Sequence, residues 1–240
     1  MGEEAIIALS LNIVAGIGAQ LVSARWVGLA QSNPRGILIA GANEIACAIG
    51  DAIGKYEFEV THVDTDSERS SRARLDGREV IRGNILSDQV HDGLEPGELG
   101  ILLALTPNDE VNVLATHHYG RILGRRNVYQ AAPSEAGRGI LGSLPFHLTA
   151  RVLFDPELTY RELEDRLAAG AVVRGTTLGD EFDWEAYQAR HGSRFRPLFV
   201  VSAEGRLSAF TDSSRPSPKN GDTIVSLLET ENGRAEARST

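Results

Sequence analysis

The chain is most constrained by an ordered alternation of short apolar runs and amphipathic stretches between residues 37 and 129. The run 37–40 ends at Gly41 and is followed by an apolar-periodic stretch from Ile45 to Ile53. Phe58, Val60 and Val63 form a second run that ends at Asp64, and Glu79-Val80-Ile81-Arg82 forms a third. Ile101-Leu102-Leu103-Ala104-Leu105 forms a fourth, residues 111–123 read as a helix, and Asn127-Val128-Tyr129 forms a fifth. Strands separated by helices predict βαβ units, hence a doubly wound parallel sheet of Rossmann type with helices on both faces.

The first turn of that pattern carries the chemistry. Gly41-Ala42-Asn43-Glu44-Ile45-Ala46 lies between the first strand and the first helix, where a Rossmann fingerprint brings a pyrophosphate onto exposed N–H groups at a helix N-terminus. Gly41 permits the tight turn and Ala46 permits close helix–strand packing. Asn43 stands where the second glycine of the fingerprint usually is, and a side chain there narrows the backbone's approach to a pyrophosphate. Asp64 closes the second strand 23 residues after Gly41, placed to bond ribose hydroxyls and to disfavour a 2′-phosphate. The alternative is a doubly wound domain whose site is empty or degenerate.

After residue 132 the texture changes. Residues 133–145 are rich in Gly, Ser and Pro and read as a connector. Thr159 and Glu162 have capping-box spacing ahead of Leu163 and Leu167, and Gly170 sits where that helix should stop. Val172-Val173 and the runs 198–202, 207–210 and 223–228 are strand-like, with a hairpin turn at Ala203-Glu204-Gly205-Arg206. The expected organisation is therefore an apolar helix and linker (1–33), a Rossmann domain (34–132), a connector (133–145), a small α+β domain (146–230) and a frayed tail (231–240).

Residues 5–24 hold no charged side chain, and about 20 apolar residues suffice to cross a bilayer as a helix. Glu3 and Glu4 precede the run while Arg25 and Arg35 follow it, which would put the C-terminal side in the cytoplasm. Ser10, Asn12, Gln20 and Ser23 interrupt it, so a soluble docking helix is the alternative. The acidic start argues against a signal peptide. A net charge of −9 argues against nucleic acid as a partner, and the lone Cys47 excludes a disulfide framework.

Residues 37–129 resemble the TrkA-N domain, also called RCK (regulator of K⁺ conductance). The matches run in order: Gly41-Ala42-Asn43, Val63-Asp64, Gly83-Asn84 after the third strand, and Ala104-Leu105-Thr106-Pro107-Asn108-Asp109-Glu110-Val111-Asn112 after the fourth. The last is similar to the family's T-x-N-D-E-x-N segment. Residues 145–230 look more loosely like the family's appended C-terminal (TrkA-C-like) domain, closing on Gly221-Asp222-Thr223-Ile224-Val225. The resemblance implies a dimeric sensor of NAD(H) or an adenine nucleotide that regulates a K⁺ transport system or a monovalent cation:proton antiporter at the cytoplasmic face of the membrane. Apolar helix, linker and Rossmann domain together look most like the tail of such an antiporter, with residues 5–25 as the membrane contact.

By the same resemblance, Gly41, Ala42, Asn43 and Ile45 would line the phosphate turn, and Asp64 and Thr65 would face the adenosine ribose. Asn84 and Ile85 would face the adenine, and Leu105, Thr106 and Asn108 the far half of the ligand. A simpler reading of Asn108 is a helix cap before Val111. No catalytic set and no metal site is expected. His117-His118 are adjacent on a helix and cannot share a metal on one face, Gly54-Lys55-Tyr56 lacks the Ser or Thr that ends a P-loop, and Cys47 reads as a small buried hydrophobe. An oxidoreductase would have to draw its proton donor from His147, His191, Tyr160 or Tyr187, none of which stands at a diagnostic spacing. A scaffold with a degenerate site is the third reading.

Overall fold

A computed structural model describes residues 35–94, 98–135, 137 and 150–230. The apolar run 5–24, most of the connector, His147 and the tail 231–240 lie outside the described residues. Six strands form one parallel sheet: β1 (Gly36–Ala40), β2 (Glu59–Asp64), β3 (Glu79–Arg82), β4 (Leu99–Ala104), β5 (Val128–Ala131) and β6 (Arg151–Leu153). Their order is β3-β2-β1-β4-β5-β6 and each neighbouring pair is parallel, the doubly wound Rossmann arrangement with its strand-order reversal between β1 and β4. The third strand has the predicted bounds. The fourth begins two residues early and ends at Ala104, so Leu105 lies just beyond it.

Helices α1 (Glu44–Gly54), α2 (Ser67–Leu75), α3 (Asp88–Asp92) and α4 (Asp109–Gly120) connect the first five strands. Each starts on a side chain that accepts from the first turn: Asn43, Asp66, Ser87 and Asn108, satisfying N–H groups that would otherwise lack partners. Helix α4 starts and stops earlier than residues 111–123 because Asn108 caps it and the chain turns off at Arg121.

The period of two along β1 sorts the core. Ile37 and Ile39 face α1, whose Ile45, Ile49 and Ile53 pack with Leu103 and Leu153. Leu38 and Ala40 face the opposite side with Val63, Leu102, Ala115 and Tyr119. The first of these layers does not end at the parallel sheet. It continues without a break into Leu163, Leu198, Phe199, Val225 and Leu227, which belong to the second half of the chain.

That half holds β7 (Val172–Thr177), β8 (Phe195–Val201), β9 (Leu207–Ala209) and β10 (Thr223–Leu228), with α5 (Tyr160–Ala168) and α6 (Trp184–His191). The strands form an antiparallel sheet in the order β7-β10-β8-β9. Thr159 caps α5 through Glu162 N–H at 3.2 Å, and Gly170 adopts φ +87° just past its end. Only half of the capping box forms, because the Glu162 carboxylate accepts from Arg166 Nε at 2.8 Å instead of returning to the backbone. The 203–206 turn closes with Gly205 N–H on Ser202 O. Among the described residues, no helix is long and apolar enough to cross a membrane.

Candidate functional site

The candidate site is built on a glycine turn held from three sides. Gly41 follows β1 at φ +117°, a conformation open to glycine at little cost. Its N–H donates to Val63 O at 2.8 Å. A Cβ there would lie 2.8 Å from Asn43 Nδ2 and 2.9 Å from Leu105 O, so no other residue fits the turn as it stands. Beneath the turn, His62 on β2 is 1% exposed and its Nδ1 lies 3.0 Å from Gly41 O. A carbonyl only accepts, so Nδ1 carries the proton. Burial pushes the His62 pKa below the ordinary imidazole value, against the opposing pull of the Gly41 bond.

Asn43 is 8% exposed and uses both ends of its amide. Oδ1 accepts from Ala46 N–H at 3.0 Å, capping α1. Nδ2 donates to Leu105 O at 2.7 Å, which ties the β1–α1 turn to the residue after β4. The bond crosses the strand-order reversal, where open α/β sheets bind their ligands. Glu44 adds an acid in the first turn of α1.

Asp64 is 7% exposed and its carboxylate is saturated. Oδ2 accepts from Ala42 N–H at 2.8 Å and Arg69 Nε at 3.0 Å. Oδ1 accepts from Asp66 N–H at 2.9 Å and Arg69 Nη2 at 3.1 Å. A carboxylate offers about four acceptor positions, so a ribose diol meets Asp64 only by displacing a present partner. Burial raises the Asp64 pKa, but Arg69 and the two N–H groups more than offset it and hold the carboxyl below the usual range. The Arg69 side chain is 45% exposed and is the partner free to move.

A cleft of about 260 Å³ opens at the carboxyl ends of β1 to β4. Gly41, Asn43, Asp64, Thr65, Asn84, Ile85, Thr106 and Asn108 all line it, so eight of the residues singled out in the sequence converge there. Val63, Ile85, Pro107 and Val111 supply apolar walls for a flat ring. Gly83 also lines it, and a Cβ there would lie 2.8 Å from Val90 Cγ2. Ala42, Ile45 and Leu105 do not line this cleft. Ile45 and Leu105 are 1% and 0% exposed and pack into the core, and Ala42 borders a different depression.

Several of the lining residues also hold the loops in place. Asn108 Oδ1 accepts from Val111 N–H at 3.0 Å, the helix cap that its position suggested. Thr106 Oγ1 donates to Asn112 Oδ1 at 2.8 Å, and Asn112 Nδ2 returns to Thr106 O at 2.9 Å. Asn84 Oδ1 accepts from Leu86 N–H at 3.0 Å. The sequence did not single out Arg69. Its signal lies in the Asp64–Arg69 spacing, which matters only once residues 67–75 are helical.

The second depression, of about 490 Å³, lies between α1, α2 and α5. It is larger, and part of its charge is paired within it. Arg78 bonds Asp51 at 2.8 Å through two nitrogens and Asp76 at 2.6 Å, while Arg72 approaches Glu68. Cys47 borders it with its thiol pushed above its ordinary value by burial. Among the described residues, no group of His, Cys, Asp and Glu is placed to hold a metal ion. His117 and His118 are both exposed on α4.

The sequence model of the TrkA-N domain matches residues 37–147. No functionally curated protein matches the chain. Among solved structures, the TrkA-N domain of the inner membrane protein ybaL from Escherichia coli is 12% identical, with 57% of this chain and 97% of that one covered at a TM-score of 0.43. The NAD(P)-binding domain of an exopolyphosphatase-related protein from Archaeoglobus fulgidus is 11% identical, with coverages of 55% and 96% and a TM-score of 0.42. The GsuK channel bound to NAD is 13% identical over 85% of this chain and 38% of that one, with a TM-score of 0.42. All three are distant likenesses.

Proposed function

We propose that the chain, whose residues 37–147 match the TrkA-N domain model, is a nucleotide-sensing regulatory module rather than a catalyst. It binds an adenine nucleotide in the cleft at the ends of β1 to β4 and controls a monovalent-cation transporter or cation:proton antiporter at the cytoplasmic face of the cell membrane. The observation that carries the reading is the convergence of Gly41, Asp64, Thr65, Asn84 and Ile85 on one apolar-walled cleft at the strand-order reversal. The second half of the chain acts as the appended TrkA-C-like domain. Its α5 borders the α1–α2 depression through Tyr160 and Glu164, and Arg69 lines both that depression and the cleft, so occupancy of the cleft is felt at α5. A ligand shifts such a module only through unequal affinity for its two arrangements.

The module works as a homodimer, the commonest closed assembly. Leu114 and Ile122, 52% and 37% exposed on and just after α4, supply apolar surface for such a contact. A scaffold with a degenerate site is the second reading, favoured by the Asn43–Leu105 bond and the saturated Asp64. Titration calorimetry of the full chain with adenosine, AMP, ADP and NAD⁺ separates the two. The sensor reading expects saturable binding of at least one of them at micromolar to sub-millimolar concentration. No heat from any of them up to millimolar concentration would leave the scaffold.

A further inference from the structure

We infer that Asn43 sets the size of the ligand, so that the cleft takes an adenine nucleoside or its 5′-monophosphate and rejects dinucleotides whose pyrophosphate must cross the turn. The inference rests on the proposed nucleotide site and adds a limit to it. In a dinucleotide fold the second glycine of the turn leaves bare backbone, and the pyrophosphate lies against it with the helix N–H groups pointing at its oxygens. Here the Asn43 side chain fills that space, and Ala46 N–H in the first turn of α1 is already bonded to it.

The Asn43 amide lies across the turn, bonded to Ala46 N–H on one side and to Leu105 O on the other. Gly41 N–H is held by Val63 O, Ala42 N–H by Asp64 Oδ2 and Ala46 N–H by Asn43 Oδ1. Three amides of the turn are thus withdrawn from any phosphate. The Glu44 carboxylate at the start of α1 further opposes an anion there, since it already takes the favourable end of the helix dipole. A ligand pocket usually encloses about 300–1,000 Å³. The cleft, at about 260 Å³, lies just under that range, and the neighbouring depression of about 430 Å³ shares only Pro107 with it.

A single 5′-phosphate has another partner. Arg69 lines the cleft and is 45% exposed. A guanidinium carries five N–H donors, and the two bonds to Asp64 come from Nε and Nη2. Nη1 lies 3.9 Å from Asp66 Oδ2, beyond hydrogen-bond length, so donors remain for one phosphate at the rim. Adenine then rests among Val63, Ile85, Pro107 and Val111, with its ribose beside Thr65.

The test compares AMP with NAD⁺ on the full chain and on Asn43→Gly, by titration calorimetry. Glycine is tolerated at a helix N-cap and removes the crossing amide. Asn43→Ser is a second variant, which keeps a capping oxygen and is too short to reach Leu105. The expected result is AMP binding at least tenfold tighter than NAD⁺ in the natural chain. Either substitution should raise NAD⁺ affinity tenfold or more while AMP affinity moves less than threefold. NAD⁺ bound as tightly as AMP by the natural chain, or an unchanged AMP-to-NAD⁺ ratio in both variants, overturns the inference and leaves the nucleotide site standing. Failure of all three proteins to bind either ligand overturns both.

Discussion

Replacing Asp64 by Asn tests how the glycine turn is held. The carboxylate accepts four bonds, two from the N–H groups of Ala42 and Asp66 and two from Arg69, with its own side chain 6% exposed. An amide keeps one acceptor oxygen and turns an NH₂ toward the other donors, so at least one buried backbone N–H loses its partner. Losing a hydrogen bond to a charged group costs about 1.5–3 kcal/mol. The ion pair adds at most about 1 kcal/mol, because Arg69 is half in solvent and can turn to water. The expected loss is therefore about 1.5–4 kcal/mol, a large share of the roughly 5–15 kcal/mol by which domains are stable. Urea denaturation at pH 7 with an unchanged m-value measures it. Arg69→Ala is the control and should cost about 1 kcal/mol or less. A loss below about 0.5 kcal/mol for Asp64→Asn, against the range above, refutes the anchoring role. Equal losses in the two variants would assign the effect to the ion pair and not to the turn.

Gly41→Ala should cost about 2–4 kcal/mol in the same assay, since it combines left-handed strain with overpacking against the Leu105 carbonyl; a change under about 0.5 kcal/mol, well inside the range for neutral surface substitutions, would mean that the turn relaxes freely. His62 gives a pH signature. Its folded pKa is depressed, so its neutral form contributes stability above the unfolded value of about 6.5, and that contribution is lost as pH falls from there toward the folded pKa. His62→Gln should flatten this part of the pH–stability curve between about pH 7 and 5, while the portions due to His118 and His191, also depressed by burial, persist; an unchanged slope would contradict it. Thr159→Ala should destabilise by about 1 kcal/mol through loss of the α5 cap, and thermal unfolding unaffected by the change would count against that cap.

The parts of the fold written in local sequence were legible, and the parts held by distant contacts were not. β1 and β4 showed as apolar runs because a parallel strand buried on both faces is apolar along its length, as the uniformly buried β1 is, whereas β3 showed only through Val80 and Ile81 between its charged ends. Helix α2 gave no such signal. Its sequence SERSSRARL buries only Ser70 and Ala73, and it is held by the Asp66 cap and by the grip of Arg69 on Asp64. Helix α6 buries only Tyr187, so periodicity had little to show. β6 is three residues long and exists through its pairing with β5. The location of the cleft was readable because glycine, acid and Asn-Asp turns mark strand ends. What fills it was not, since the Asn43–Leu105 bond joins residues 62 apart in sequence and the Arg69–Asp64 pair depends on an unsignalled helix.

The central claim, an adenine nucleotide in the cleft at the ends of β1 to β4, is tested most directly by methyl NMR during titration of the unmodified chain with AMP. The account predicts that the methyl signals of Val63, Thr65, Ile85 and Val111, which line that cleft, shift together and saturate, while those of Ala48 and Ala73 in the α1–α2 depression and of Ile224 in the second sheet stay in place. Shifts confined to Ala48 and Ala73, or none anywhere at millimolar AMP, would contradict it.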